Sequence, residues 1–280
     1  MLRITVAWAR FLSRLKTDSP QSDMDLVYLV KQNDDNEELR YSLRSIEKNL
    51  PHRKVIVAGY KPSWVKGVTY IPTTQVNLQK DATSFKQAAI NNRVKHSNAS
   101  AGFTAALNSN KVSDNFVLMN DDFFVMKRTR KVPPTRRLNN IDYYIGLYEA
   151  RSTFGAKGYY VKTMRQTKKV LQSIGIKDID SYELHVPMVI NKHRYAVMKE
   201  YMRKVSGLER VHHGRTLYGN FYNIGGTRMA DTKIRNTVDP VDIKYSRSWR
   251  FLSTDDDNFR NGKVGEYIRS SFPNKSKYEK

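Results

Sequence analysis

The run NFVLMNDD carries β-prone apolar residues 116–119 straight into Asn120, Asp121 and Asp122. Adjacent carboxylates repel each other and are costly to take out of water. A chain that ends a buried strand on such a pair calls for a cation nearby. Hard divalent ions such as Mg2+ or Mn2+ take oxygen ligands and are commonly shared between one or two carboxylates and substrate phosphates. An acidic pair after a strand also serves as a helix cap or salt-bridge partner, and the pair alone does not separate these uses. Residues 255–257 form a second acidic cluster. There Asp255 and Asp256 are candidates to complete a metal shell, against the plainer reading of a solvated turn.

Among the basic groups, His185 stands between Leu184 and Val186, with Pro187 following. An imidazole changes charge near neutrality, so His185 could accept a hydroxyl proton or hydrogen-bond a phosphate; a core histidine is the alternative. Arg215 could pair bidentately with phosphate oxygens, or stand in a structural salt bridge. Arg40 and Arg44 lie one helical turn apart, placed either to face a diphosphate or to pair with Glu37 and Glu47 along the helix. Lys86 and Arg93 precede the acidic strand and are further phosphate candidates. Arg210, His212 and His213 make a basic patch without the ligand spacing of a zinc site.

Strands and helices must position these groups. MDLVYLV reads as a first strand, and the helix after it has Leu39, Leu43 and Ile46 at helical spacing, Asn36 as expected cap and Pro51 as stop. KVIVAG is a second strand ending at Gly59, and residues 68–71 suggest a third. SFKQAAINNRVKHS has helical composition, and NFVLMN is the next strand. Strand and helix alternate with short connections, which predicts a mostly parallel sheet flanked by helices. Ligands of such sheets bind beyond the carboxyl ends of the strands, where Asp121 and Asp122 fall. TMRQTKKVLQSIG, with Gly175 at its end, and NKHRYAVMKEYMRKV predict a helical C-terminal part. Residues 127–137, KRTRKVPPTRR, read as an exposed basic loop beside the acidic site; Lys127, Arg128, Arg130, Lys131, Arg136 and Arg137 are its candidate contacts to an anionic acceptor.

The chain has 280 residues, with 49 Lys and Arg against 27 Asp and Glu, a net charge of +22. So large an excess predicts an anionic partner: nucleic acid, anionic glycan, nucleotide phosphate or an acidic membrane surface. The absence of cysteine excludes disulfides, thiolate metal sites and a cysteine nucleophile. No apolar run approaches the roughly 20 residues of a membrane span, and no signal peptide is evident, so a cytoplasmic protein is expected. Residues 1–16 could form a basic amphipathic helix lying on a membrane surface or packed on the protein. The expected division is a segment over 1–22, then a transferase domain over 23–280, with a nucleotide-sugar half at 23–126 and an acceptor half at 127–280.

ELRYSLRSIEKNLP closely resembles a conserved block of the Stealth family, which leads through a strand to an Asn-Asp-Asp motif, here Asn120, Asp121 and Asp122. ELHVPMVINKHRYAVM resembles the family's His-x-Pro segment, with His185 and Pro187, and GRTLYGNFYN its Arg and aromatic cluster. FLSTDDDN and YIRSSFPNKSKYEK resemble the terminal block, through Phe272, Pro273, Ser276, Tyr278 and Glu279. The Trp-Val-Asp/Asn-Gly element that follows the family's first strand is missing. The family includes capsule hexose-1-phosphate transferases and the catalytic subunit of N-acetylglucosamine-1-phosphotransferase. The resemblance implies a GT-A-like α/β fold and a nucleotide-sugar donor, with a UDP-sugar expected. Asp121, Asp122 and one of Asp255 and Asp256 would hold Mg2+ or Mn2+, and Asn120 would orient them or bind ribose. His185 would be the catalytic base and Arg215 the support for the diphosphate. The resemblance implies transfer of a sugar or sugar-1-phosphate to a hydroxyl, for which a cell-surface glycan fits the family. The charge of +22 points instead to a polymeric, anionic acceptor. The charge also suits a phage-type glycosyltransferase acting on hydroxymethylated DNA bases, with the aromatic stretch DYYIGLYEARSTFGAKGYY as a stacking surface. A non-catalytic nucleic-acid-binding protein would explain the charge but not the acidic motifs.

Overall fold

A computed structural model describes residues 19–32, 35–76, 85–150, 158–207, 213–235 and 247–280. The expected N-terminal amphipathic helix, Arg210 and His212 lie outside the described residues, as does the side chain of Lys86.

The chain opens with β1 (Asp25–Val30), α1 (Glu37–Asn49), β2 (Val55–Gly59), β3 (Thr69–Pro72), α2 (Phe85–Asn108) and β4 (Asn115–Asn120). β1 pairs in parallel with β2 and β4, and β3 extends the sheet parallel to β2. β7 (Met188–Asn191) closes the other edge antiparallel to β4, giving the order β3-β2-β1-β4-β7. This is the mixed α/β architecture that the alternation predicted, with a mainly parallel sheet flanked by helices.

Alternation along the strands sends side chains to two apolar layers. Leu26, Tyr28 and Val30 pack with Leu39, Leu43 and Ile46 of α1 on one face. Val27, Ile56, Phe116 and Leu118 pack on the other with α4 (Gly158–Ser173), α5 (Lys192–Ser206) and α6 (Gly214–Phe221), through Met164, Leu171, Met198 and Phe221. The short α3 (Ile141–Ala150) joins that second layer through Ile141 and Ile145. A third cluster lies under the last helices. β5 (Phe123–Val125) pairs antiparallel with β9 (Phe251–Ser253), and Phe124 stacks on Phe259 of α7 (Asp256–Asn261), with centroids 5.7 Å apart. α8 (Lys263–Ser271) adds Val264 and Ile268.

Gly59 makes the turn out of β2 possible. Its φ is +114°, and a Cβ there would sit 2.3 Å from the Val30 carbonyl oxygen. That close approach lets the Tyr60 N–H bond the same oxygen at 3.0 Å.

Three expectations need correction. Asn36 occupies the N-cap position of α1, but its side chain makes no capping bond: it lies in the left-handed region at φ 49°, and its amide donates to the Lys31 carbonyl at 3.0 Å. Residues 127–137 are not all loop, because Thr135–Arg137 form β6, parallel to β8 (Thr227–Met229). The first part of that basic segment, residues 127–132, also lies away from the acidic motif. The Thr129 N–H donates to Asn49 at the far end of α1, and the Val132 N–H to Gln21, just ahead of β1. It therefore sits at the amino ends of the strands, whereas Asp121 and Asp122 follow a carboxyl end.

The final segment is tied to α1. Arg44 donates to both Glu279 oxygens at 2.8 Å and to the Phe272 and Pro273 carbonyls, and Arg40 reaches Glu279 at 3.2 Å. Arg44 holds the buried Glu279 carboxyl down at about 2 although burial opposes this. Among the described residues no helix is long and apolar enough to cross a membrane.

Candidate active site at the carboxyl end of the sheet

β1 and β4 are neighbours, with Leu29 opposite Asn120. Beyond their carboxyl ends opens a cleft of about 750 Å³. Lys31 enters it from the end of β1, Asp121 and Asp122 from the turn after β4, and Glu38 from the first turn of α1. Lys95 and His96 line it from α2, His185 from the segment before β7, and Lys233 from a chain bridged to Ser253 of β9. Asp255 and Asp256 close the side nearest α7.

Lysines face the two strand-end carboxylates. Lys233 Nζ lies 2.8 Å from Asp122 Oδ2, and Ser253 Oγ donates to the same oxygen at 3.2 Å. Burial alone would favour the neutral acid, but Lys233 and then His185 hold Asp122 below the usual carboxylate range. Asp121 is pushed up to about 6, chiefly by burial and further by Asp122, with Lys31 opposing. In return Asp121 raises Lys31. Glu38 is pushed up to about 9, by burial first and then by Asp121 and Asp122. It is 5 % exposed, and its Oε1 has no hydrogen-bond partner. Lys95 is lowered, by burial and then by Lys31 and Lys233. The cleft thus brings the carboxyls of Glu38, Asp121, Asp122, Asp255, Asp256 and Asp257 together with the ammonium groups of Lys31, Lys95 and Lys233.

Asp231 fixes His185. Nδ1 lies 2.8 Å from Asp231 Oδ2, and the His185 backbone N–H donates to Oδ1 at 3.0 Å. Arg137 donates to the same carboxylate at 2.9 Å. Although burial disfavours its charge, the bonds from His185 and then the charge of Arg137 hold Asp231 far below the usual range. An ionised Asp231 on Nδ1–H leaves Nε2 as the imidazole's reactive nitrogen. The ring stands edge-on to Phe123, 6.3 Å between centroids.

Arg215 is half-buried, and it donates to the carbonyls on either side of His185, Leu184 at 3.0 Å and Val186 at 2.6 Å. It braces the histidine segment and lines a second cavity of about 280 Å³. That cavity shares Leu29, His96, Ala99 and Asn120 with the cleft.

Asp255 and Asp256 line the cleft but are engaged with α7, and the remaining expected site residues lie elsewhere. Asp255 caps α7, accepting from the Asn258 N–H at 3.1 Å, and Asp256 pairs with Arg260. Arg40 and Arg44 serve the Glu279 clamp and are not among the cleft's lining residues. Arg93 lies over the ring of Tyr159. Lys127, Arg128 and Arg130 are exposed, Lys131 borders a separate cavity beside β7, and Arg136 pairs with Asp180. Arg137 is 4 % exposed and reaches the site only through Asp231.

Lys31, Glu38, Lys95, Asp231 and Lys233 were not anticipated. Lys31 directly follows a strand end and Glu38 opens the α1 motif, so both had a positional signal. Asp231 and Lys233 had none.

No family profile matches the chain, and no curated protein matches it. Among solved structures, it is similar to the galactosyltransferase LgtC, solved with donor and acceptor sugar analogues. The TM-score is 0.39 at 11 % identity, over 91 % of this chain and 98 % of that one. At this score the likeness assigns neither family nor reaction. The Stealth resemblance rests on its motifs.

Proposed function

We propose that the protein is a GT-A-like, nucleotide-sugar-dependent transferase that moves a sugar or sugar-1-phosphate to a hydroxyl of an anionic polymer. One observation carries this reading: Asp121 and Asp122, at the carboxyl end of β4, share a cleft with three lysines and with a histidine held by Asp231. Carboxylates and ammonium groups in one water-filled cleft suit a ligand that carries both phosphate and hydroxyl groups.

The residues fit a divalent cation. The Oε1 of Glu38 is buried, has no hydrogen-bond partner and borders the same cleft as Asp121. Asp121 and Glu38 would hold Mg2+ or Mn2+, with Asp122 joining on release from Lys233. Among the described residues no group of three or more acidic or histidine side chains is assembled for a metal, so donor phosphate oxygens would supply the remaining ligands. When bound, the ion neutralises charge growing on the leaving phosphate.

The chain's own groups do the rest. Lys31, Lys95 and Lys233 face the phosphates. His185 Nε2 takes the proton of the acceptor hydroxyl, and Asp231 stabilises the imidazolium. The acceptor oxygen then bonds either to the anomeric carbon, releasing nucleoside diphosphate, or to the β-phosphorus, releasing nucleoside monophosphate. The net charge of +22 favours an anionic acceptor.

The test is donor turnover on a nucleotide-sugar panel with Mn2+ or Mg2+, read by mass spectrometry with and without anionic glycan or hydroxymethylated DNA. Nucleoside diphosphate or monophosphate as product, lost on chelation and in Asp121→Asn, is expected. Tight, salt-dependent DNA binding without turnover of any donor would favour the non-catalytic alternative.

A further inference from the structure

The second cavity has a different chemistry from the cleft it adjoins. Phe103, Tyr159, Tyr160 and Tyr195 line it, drawn from α2, α4 and α5. Polar atoms interrupt this aromatic wall: Glu183 and Thr163 on one side, and Asn120 at the divide shared with the cleft. A mostly apolar concavity with a few convergent polar groups is the usual make-up of a small-molecule site.

From this geometry we infer that the aromatic cavity is the acceptor subsite and that it takes a single pyranose ring. The inference rests on the transferase reading above. A pyranose presents C–H faces that pack on aromatic rings, and equatorial hydroxyls that need donors and acceptors at its rim; this cavity supplies both. Its position fits as well. A ring seated there would present a hydroxyl across Asn120 to the cleft that holds Asp122 and His185.

The ring geometry argues against a flipped nucleobase. A base is gripped between parallel aromatic faces. Here Phe103 and Tyr195 meet at 84° with centroids 4.8 Å apart, and Tyr160 and His213 at 77° and 4.7 Å. His96 and Tyr160 are more nearly parallel, at 26°, but their centroids are 6.4 Å apart and His96 belongs to both cavities. Edge-to-face neighbours leave corners rather than a flat slot.

The experiment is saturation-transfer NMR on the full chain, with methyl pyranosides, neutral and uronic, and 5-hydroxymethyl-2′-deoxycytidine as probes at millimolar concentration. UDP serves as a control for the cleft. We expect at least one pyranoside to receive saturation from aromatic protons. Tyr159→Ala should weaken it at least tenfold, and Tyr160→Phe, which keeps the ring, should retain it. In turnover, Tyr159→Ala should raise the acceptor KM at least tenfold and shift the donor KM less than twofold. Tyr159 is partly exposed, so the variant is expected to fold; an unchanged unfolding transition checks this. Failure of every pyranoside, or binding of the nucleoside alone, overturns the inference. If UDP still binds and Asp122→Asn weakens it, only the acceptor subsite has failed. If UDP does not bind either, the donor reading fails with it.

Discussion

At the scale of single residues, the site works by pairing groups whose charges depend on one another. His185 owes its orientation to Asp231, and Asp231 owes its ionisation to His185 and Arg137. His185→Ala is expected to lower kcat by about 10²–10⁴, the usual range for a lost general base. Asp231→Asn should lower it less, because the amide still accepts from Nδ1–H; single-turnover rates with a saturating donor would rank the two. Glu38 gives a pH prediction. Its folded pKa, about 9, lies above the ordinary glutamate value of 4.5, so between these values the folded state binds more protons than the unfolded state. Stability must therefore fall as pH rises through that window. Glu38→Gln removes the titration, and its melting temperature should match the parent near pH 5 and exceed it at pH 8 to 9. Thermal melts across pH would show this, and parallel curves would refute it. The acidic pair was legible in the sequence because two carboxylates after an apolar run are conspicuous. Lys233 and Asp231 were not, because they sit on a segment placed by the long-range bridge from Lys233 to Ser253.

At the scale of elements, strong periodicity declares secondary structure in the sequence, and most short or irregular pieces do not. β1, β2, β4, α1 and α5 follow apolar patterns long enough to declare themselves. β7 and β9, of 4 and 3 residues, carry too short a pattern to separate strand from loop, whereas β3, as short as β7, follows a turn that marks it. Arg40 and Arg44 illustrate the same limit. One turn apart, they present a shared face, yet nothing local says whether it meets a phosphate or Glu279, 235 residues after Arg44. Four of the quoted motifs meet as two braced pairs: α1 with the terminal segment, and the His185 segment with α6 through Arg215. The first brace makes a stability prediction. Glu279 has a depressed folded pKa, about 2 against the ordinary glutamate value of 4.5. Its contribution is therefore complete above about 4.5 and fades as pH falls toward 2. Glu279→Gln should cost on the order of 3 kcal/mol at pH 7, typical of breaking a buried ion pair, and progressively less below pH 4. Denaturant unfolding at several pH values measures both the size and the trend.

At the scale of the whole molecule, the densest basic segment and the chemical cleft are spatially separate. Lys127, Arg128, Arg130 and Lys131 gather near the amino ends of the strands, the cleft beyond the carboxyl ends. If these four residues engage a phosphate backbone, neutralising all of them should lower the slope of log affinity against log salt by about 3 to 4 for duplex DNA. Titrations at several salt concentrations test this, and an unchanged slope would make the segment merely a solvated surface. The Arg44–Glu279 brace has a further consequence, for biosynthesis. A ribosome adding about 5–20 residues per second delivers Glu279 roughly 12–47 s after Arg44. For that interval α1 can already rest on β1 and β2, but its arginines lack their carboxylate. The nascent N-terminal half therefore waits, incompletely anchored, for a counter-charge still to be translated. A pause late in the message would lengthen its exposure to proteases and chaperones.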